Sequence, residues 1–529
     1  MTDSIFNRLS DSDIAKCLGM AIAVLSICLL PACSENAGTE EPDTPPAKAQ
    51  TVKLVPDRTS VIRNPLTGWV MYLGRSWDEN FWTSVGYDAM PTSDGSTVKV
   101  SDYATTAYLR TSWASLEPTE GNYIWRDPSS RYSLMLKSCR DRGLKLALRI
   151  VFDGRDQGQN TPMYVIDAGA HCFEHGNYKT PYADDPIFQQ KYEKFIEALA
   201  EDFNDPETVD FIDAFSPGKW GEAHAVLYED NKNKLAFCDW ATSLHARCFD
   251  KVPIFINYHR MIADSNQNSW SDTVPADTEE VLEMAIGKGY SIRHDAFGMY
   301  TYYRDWERGF VSKWNFKRPV LMEGGWIVDG THRYWNSVYP MEPYREGHPE
   351  DVRKGEYDMS AEARVNMMDF RVNEEIKTWF GTSFSLVKEF IQKGGYRLYP
   401  DMVSVPSEVN VGGKASISHR WVNLGWGYCP NNIPQWNYKY RVAFAVLDGN
   451  DEPKHIFVDK NSDPSQWING TPTNYKFDFQ LVAIPAGTYT WAIGIVDTTK
   501  ENAIGIKMAL RADQLTDEGW AKLAPLTVR

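Results

Sequence analysis

The chain has 529 residues, 43% apolar and 24% charged, a composition that excludes a disordered protein and calls for more than one ordinary core. Its formal charge of −16 repels phosphate backbones and excludes nucleic acid as a natural partner. The 19 Trp and 27 Tyr suit either a large core or a wet groove where flat rings face a ligand with apolar faces and polar edges.

At the N-terminus Arg8 and Lys16 precede the apolar run "LGMAIAVLSICLL", which is short for a bilayer span and flanked like a signal peptide. The following Leu30-Pro31-Ala32-Cys33 resembles a bacterial lipobox. Residues 1–33 are therefore expected to be a lipoprotein signal in which Cys33 takes the lipid, giving a membrane-anchored chain of the outer membrane, on its periplasmic or surface face. Residues 34–50 are polar and Pro-rich and read as a tether. Cys17 and Cys28 leave with the signal, so Cys139, Cys172, Cys238, Cys248 and Cys429 remain. An odd set without CxxC spacing argues against a disulfide framework and a zinc knuckle, although a single bridge is compatible with it.

From residue 51 short apolar runs alternate with helical patterns. Strands are expected at 67–73, 104–113, 144–153, 209–215, "PIFINY", "IRHDAFGMY", "RPVLMEGGW" and "TSFSLV". Helices are expected at 133–143, stopping at Gly143, at 187–203, in "KLAFCDWATSLHARCF", in "TEEVLEMAIGKG" and over 360–379. About eight strand–helix units, with insertions at 74–103, 154–186 and 326–360, predict a (β/α)8 barrel over 51–398. A doubly wound sheet lacks support, because no Gly-rich phosphate turn follows the first strand. After residue 398 period-two runs such as "KASISHRWV" and "GTYTWAIGIVD", separated by Gly, Asn and Pro, predict an all-β sandwich over 399–529.

Catalytic side chains of such barrels stand at the C-terminal ends of strands. Here the fourth strand leads into "FSPGKWGE", ending at Glu222, and the seventh ends at Glu323 in "RPVLMEGGW". Two carboxylates facing one cleft are what glycoside hydrolysis requires, one protonated to donate and one ionised to attack. The plain alternative for Glu222 is a helix cap or a rim ion pair. Arg110 and Arg149, late in their strands, are expected either as buried ion-pair partners or as the charges that keep Glu323 ionised. Asp153 and Asp295 stand at strand ends to hold Arg or His, or to touch substrate. His224, His259 and His294 are expected as oriented rim residues. Tyr300 either bonds the nucleophile or packs, and Trp113, Trp220 and Trp326 are either sugar platforms or core. No cofactor and no metal is called for. His171 to His175 fits H-x-x-E-H, but Gly169 and Gly176 bracket it, and zinc chemistry needs both histidines on one helical face.

The strand-four and strand-seven glutamates, with Arg110 in "LRTSWASLEPTEGNYIW", resemble the clan of retaining (β/α)8 glycoside hydrolases. Trp113, Glu117-Pro118 and Gly121 match its strand-two passage. The chain also resembles a group of bacterial surface proteins through "RNPLTGW", "GKWGEAH", "IRHDAFG" and "GYRL…P". The resemblance implies Glu222 as acid/base and Glu323 as nucleophile. It departs at Gly221, where the clan has an Asn that binds the sugar 2-hydroxyl; His224 or Asn257 would then supply that donor, or substrate and mechanism would differ.

The expectation is thus a membrane-tethered hydrolase of an oligo- or polysaccharide acting by double displacement, with its carboxyls ~5–5.5 Å apart. Two alternatives stay open. One is a glycan-binding protein on a barrel that has lost catalysis, and the other is an inverting hydrolase (carboxyls ~6.5–9.5 Å apart) or a lyase.

Overall fold

The computed structural model describes residues 48–529 except 75–79, 156–157, 268–272, 301, 329–343, 346 and 483. The signal, Cys33 and all but the end of the tether lie outside the described residues. Residues Ala47–Arg529 form one compact unit.

Eight parallel strands close a barrel in chain order: β1 (Gly68–Leu73), β2 (Ala104–Ser112), β3 (Lys145–Val151), β4 (Val209–Asp213), β5 (Ile254–Asn257), β6 (Ser291–Phe297), β7 (Val320–Gly324) and β8 (Met367–Asp369), which returns to β1. Outside it lie α1 (Arg131–Asp141), α2 (Pro186–Phe203), α3 (Lys234–Cys248), α4 (Thr278–Gly287), α5 (Asp305–Trp314), α6 (Pro349–Glu362), α7 (Glu374–Gly381) and α8 (Phe384–Lys393). Local chemistry accounts for α2 well. Asp185 caps it by accepting from Phe188 N at 2.7 Å, Pro186 occupies the first turn, and Phe188, Tyr192, Phe195, Ile196 and Leu199 form its buried face.

The eighth strand is a correction. It is Met367–Asp369, inside the stretch expected to be helical over 360–379, whereas "TSFSLV", expected as a strand, leads into α8. Three residues buried on every side carry no alternation, so their period does not separate a strand from a helix. The flanking helices, α6 and α7, supplied the helical texture that masked it.

The C-terminal region is two stacked, mostly antiparallel sheets. One contains Ala49–Lys53, β9 (Leu398–Pro406), β10 (Lys414–Asn423) and β13 (Thr473–Gln480). The other contains β11 (Tyr440–Leu447), β12 (Pro453–Asp459), β14 (Gly487–Asp497) and β15 (Ala521–Val528). Residues 49–53, expected partly in the tether and partly in the barrel, are an edge strand of this sandwich, paired along the whole of their length with β9. Across the sheets Phe444 stacks on Phe477 at 5.6 Å, and His419 meets Asp459 at 3.1 Å.

One apolar cluster runs from the barrel interior (Tyr108, Phe211, Phe255, Leu321) into the sandwich core (Leu398, Trp421, Phe444, Trp491). Contacts at the start of β1 and β8 fix the join. Asn366 donates to the carbonyls of Leu66 and Tyr428, and Asn64 donates to that of Lys507. The sandwich therefore covers the N-terminal end of the barrel, and the C-terminal mouth faces away from it.

Candidate active site

Strand register builds the site. Arg110 pairs across to Arg149, and Arg149 to Asp213, so one layer near the mouth carries all three. Asn257 lies level with Arg293 on the other side. Side chains of a strand alternate, so Arg293 and Asp295 both point inward while His294 turns outward against Tyr258 and Tyr303.

Glu222 sits on a tightly wound loop. Gly218, Trp220, Gly221, Ala223 and Ala225 all have positive φ, between 51° and 76°. For the non-glycine members this is sparsely populated backbone, kept only where the surroundings over-determine it. At Gly218 a Cβ would lie 2.1 Å from the His224 carbonyl oxygen. Gly221 has a similar explanation: its φ is +72°, and a Cβ would press on the Arg149 side chain at 3.1 Å. The asparagine that the clan carries there would be strained and would crowd Arg149.

The Glu222 carbonyl is clamped from below. Asn257 Nδ2 donates to it at 3.1 Å and to Asp295 Oδ2 at 2.9 Å. Met261 N–H donates to Nδ1 of His259, so the neutral ring carries its proton on Nε2 and donates to the same carbonyl at 2.8 Å. The carboxyl of Glu222 meets His224 Nε2 at 3.4 Å, Arg149 at 3.9 Å and Arg110 at 4.0 Å. Burial and the neighbouring Asp295 charge push it up to about 8, against the pull of Arg110, Arg149 and Arg371. Burial also lowers His224 and His259 to about 4 and His294 to about 3, so all three are neutral at pH 7. Burial works against ionisation of Asp295, but the charges that His294 and His259 carry at low pH, together with Arg149, outweigh it and hold its carboxyl below the ordinary range.

Glu323 is in a different setting. Its side chain is 1% exposed, hydrogen-bonded through Oε2 to Arg149 at 3.1 Å and to Arg293, and ion-paired through Oε1 with Arg371. Arg149 also bonds Asp213 at 2.6 Å, and Tyr108 donates to that aspartate at 2.9 Å. Both glutamates thus reach the same guanidinium, Arg149, and converge on one place in the mouth. Behind β7 the small Gly298 and Gly324 let Glu356 of α6 approach, and Glu356 accepts from Gly325 N at 3.0 Å.

Of the alternatives the sequence left open, several fall to the plainer one, and the sugar-hydroxyl role of Asn257 needs correction. Arg110 meets Glu222 and not Glu323. Trp113 is fully buried, with its indole N–H on Glu117 at 2.8 Å and its ring among Tyr192 and Phe195, so it is core. Asp153 is buried under Arg155, which it binds with both oxygens, and is not a substrate contact. Asn257 and His259 are fully buried positioning residues, and the Asn257 amide protons are spent on Glu222 and Asp295, not on a sugar hydroxyl. Tyr300 packs beside Tyr344 and Arg308. Trp220 lies edge-on to His224 at 5.5 Å, and Trp326 is 38% exposed with Arg371 at 5.6 Å from its ring. Of the three tryptophans, Trp326 is the most open.

Arg293, Arg371 and Asp213 were not anticipated. Arg293 and Asp295 share the i, i+2 spacing of one strand face, a signal present in "IRHDAFG". Arg371 lay hidden inside the stretch read as helix. The H-x-x-E-H segment is a hairpin strand, Cys172–His175 paired with Tyr178–Pro181, so its histidines do not share a helical face. Among the described residues no cluster of three or more His, Cys, Asp or Glu is placed to hold a metal, and the five cysteines are free thiols. No described helix is long and apolar enough to cross a membrane.

No family model matches the chain, and no curated protein matches it. Among solved structures it is similar to xylanase 10B from Thermotoga maritima at 9% identity, covering 62% of this chain and 95% of that one, with a TM-score of 0.38. Endo-glycoceramidase II from Rhodococcus sp. aligns at 11% identity over 80% of this chain and 100% of its own, with a TM-score of 0.37. Xylanase B from Clostridium stercorarium F9 aligns at 12% identity over 60% and 88%, with a TM-score of 0.34. At these identities and scores the likeness carries nothing about function, and the fold class rests on the barrel's own strand order.

Proposed function

We propose that the barrel hydrolyses glycosidic bonds, with Glu222 as proton donor and Glu323 as the ionised partner. The observation that carries this reading is the contrast between two carboxyls meeting at Arg149. Glu222 is held protonated at neutral pH, while the positive charge of three arginines favours the carboxylate at Glu323. Pushing the affinities of paired acids apart is how such sites divide their labour. Glu323 would attack the anomeric carbon as Glu222 protonates the leaving oxygen, and Glu222 would then take a proton from water to release the sugar. Arg371 is the only one of the three arginines with any opening to solvent, at 11%, and is the partner whose displacement would free a Glu323 oxygen. Trp326, exposed at the mouth, would offer a stacking face.

A specific observation favours a second reading, glycan binding without turnover: both oxygens of Glu323 are engaged in ion pairs and its side chain is sealed. Screening the purified chain and its Glu222→Gln variant against aryl glycosides and plant, host and algal polysaccharides separates the two. Hydrolysis lost in the variant supports the enzyme, and saturable binding with no product from either protein supports the binding module. We also infer attachment to a bacterial membrane through Cys33, which rests on the signal-like run and lipobox. Metabolic fatty-acid labelling that persists in Cys33→Ala would refute it.

A further inference from the structure

A second cavity lies beside the mouth, between the end of β2 and the first turn of α1. It encloses about 240 Å³ and is lined by Arg110, Thr111, Ser112, Ser115, Arg131 and Tyr132, among others. Its polar chemistry is one-sided. Two guanidiniums line it, and among the described residues no carboxylate does.

Arg110 is the main observation. Its side chain is 11% exposed, and its one ion pair among the described residues is the 4.0 Å approach to Glu222, too long for a hydrogen bond. No described acceptor lies within hydrogen-bond distance of its donors, which are left to water and open to an anion that enters. Glu222 does not cancel its charge at neutral pH, because that carboxyl is pushed up to about 8. Arg131, across the cavity, is exposed and rests over the Tyr132 ring at 5.2 Å.

The hydroxyls add donors. Thr111 and Tyr132 share one hydrogen bond at 2.9 Å, and Ser112 and Ser115 share another at 2.7 Å. Each pair holds two protons and spends one, leaving one to donate outward. Two cations and two spare hydroxyl protons around one hollow make a receptor for an anion.

We propose that this cavity is a subsite for an anionic substituent, a carboxylate or a sulfate ester, on the sugar next to the bond that Glu222 protonates. It rests on the hydrolase reading for that placement, and Arg110, shared between cavity and Glu222, is the link. The substrate class is therefore an acidic glycan, and a neutral one leaves Arg110 unpaired.

Titration calorimetry on the purified chain tests this with methyl β-glucuronide, glucose 6-sulfate and neutral methyl β-glucoside, with the chain and with Arg131→Gln. An anionic probe is expected to bind at least about tenfold more tightly than the neutral one, an advantage lost in Arg131→Gln, whose circular dichroism and melting temperature stay unchanged. Which of the two anionic probes binds distinguishes carboxylate from sulfate. Equal affinity for all three probes, or an Arg131→Gln variant that retains the preference, overturns the subsite. Anion-selective binding with no hydrolysis of any acidic glycan keeps the subsite and discards the hydrolase reading, whereas hydrolysis confined to neutral glycans does the reverse.

Discussion

Glu222 and Glu323 share a guanidinium but are built in opposite ways. Glu222 rides a loop of left-handed residues, its backbone clamped by Asn257 and His259, its carboxyl partly open and uncommitted to any close ion pair. Glu323 ends a regular strand and is fixed by its side chain, locked among Arg149, Arg293 and Arg371. The difference shows two opposite electrostatic settings for a carboxyl in one mouth. One carboxyl is desolvated beside another negative charge, and the other is surrounded by positive charge.

The largest expected effect breaks the Glu323 side. Glu323→Gln takes the carboxylate from Arg371 and leaves Asp213 alone to balance Arg149 and Arg293, which should cost about 3–5 kcal/mol of stability as well as turnover. Urea unfolding reads it, and an unchanged midpoint would show that the arginines do not depend on this carboxylate. Glu222→Gln should instead lower turnover by ~10²–10⁴. Its stability should also differ in sign. The folded-state affinity of Glu222 is raised from 4.5 to about 8, so between those values the folded protein holds a proton that the unfolded chain has released. Wild-type stability then falls as pH rises through that window, by up to about 1.4 kcal/mol per pH unit, and the variant should lack this slope.

Gly218→Ala probes the loop alone. With φ at +76° and the His224 carbonyl in the way, the loop must rearrange at about 1–3 kcal/mol, and activity should drop while the barrel's circular dichroism persists. The smallest effect sharpens the contrast. Asp295→Asn removes the charge that helps raise Glu222, so the alkaline limb of the pH–rate profile, near pH 8 in the wild type, should move to lower pH. A limb that stays in place would mean that Glu222 is not the group titrating there.

Much of this was legible in the chain. Seven barrel strands announce themselves as apolar runs ended by Gly, Pro or a charged residue, and the two glutamates stand where those runs stop. The eighth strand did not, because Met367–Asp369 is short, buried throughout and framed by real helices. Arg371 vanished with it, so one of the three arginines around Glu323 went unread. Trp113 misled for another reason: an indole at a strand end has the same letter whether it faces sugar or, as here, Glu117 and Tyr192. Which arginine meets which glutamate depends on rotation around the barrel, a quantity no linear spacing encodes.

The apolar cluster that passes from Phe211 and Phe255 into Trp421 and Phe444 has its own consequence for handling this protein. Cutting the chain near residue 398 would not yield a trimmed catalyst but a barrel with an open, greasy base. Intact protein should melt in a single calorimetric transition spanning both halves, and the shortened form should precipitate.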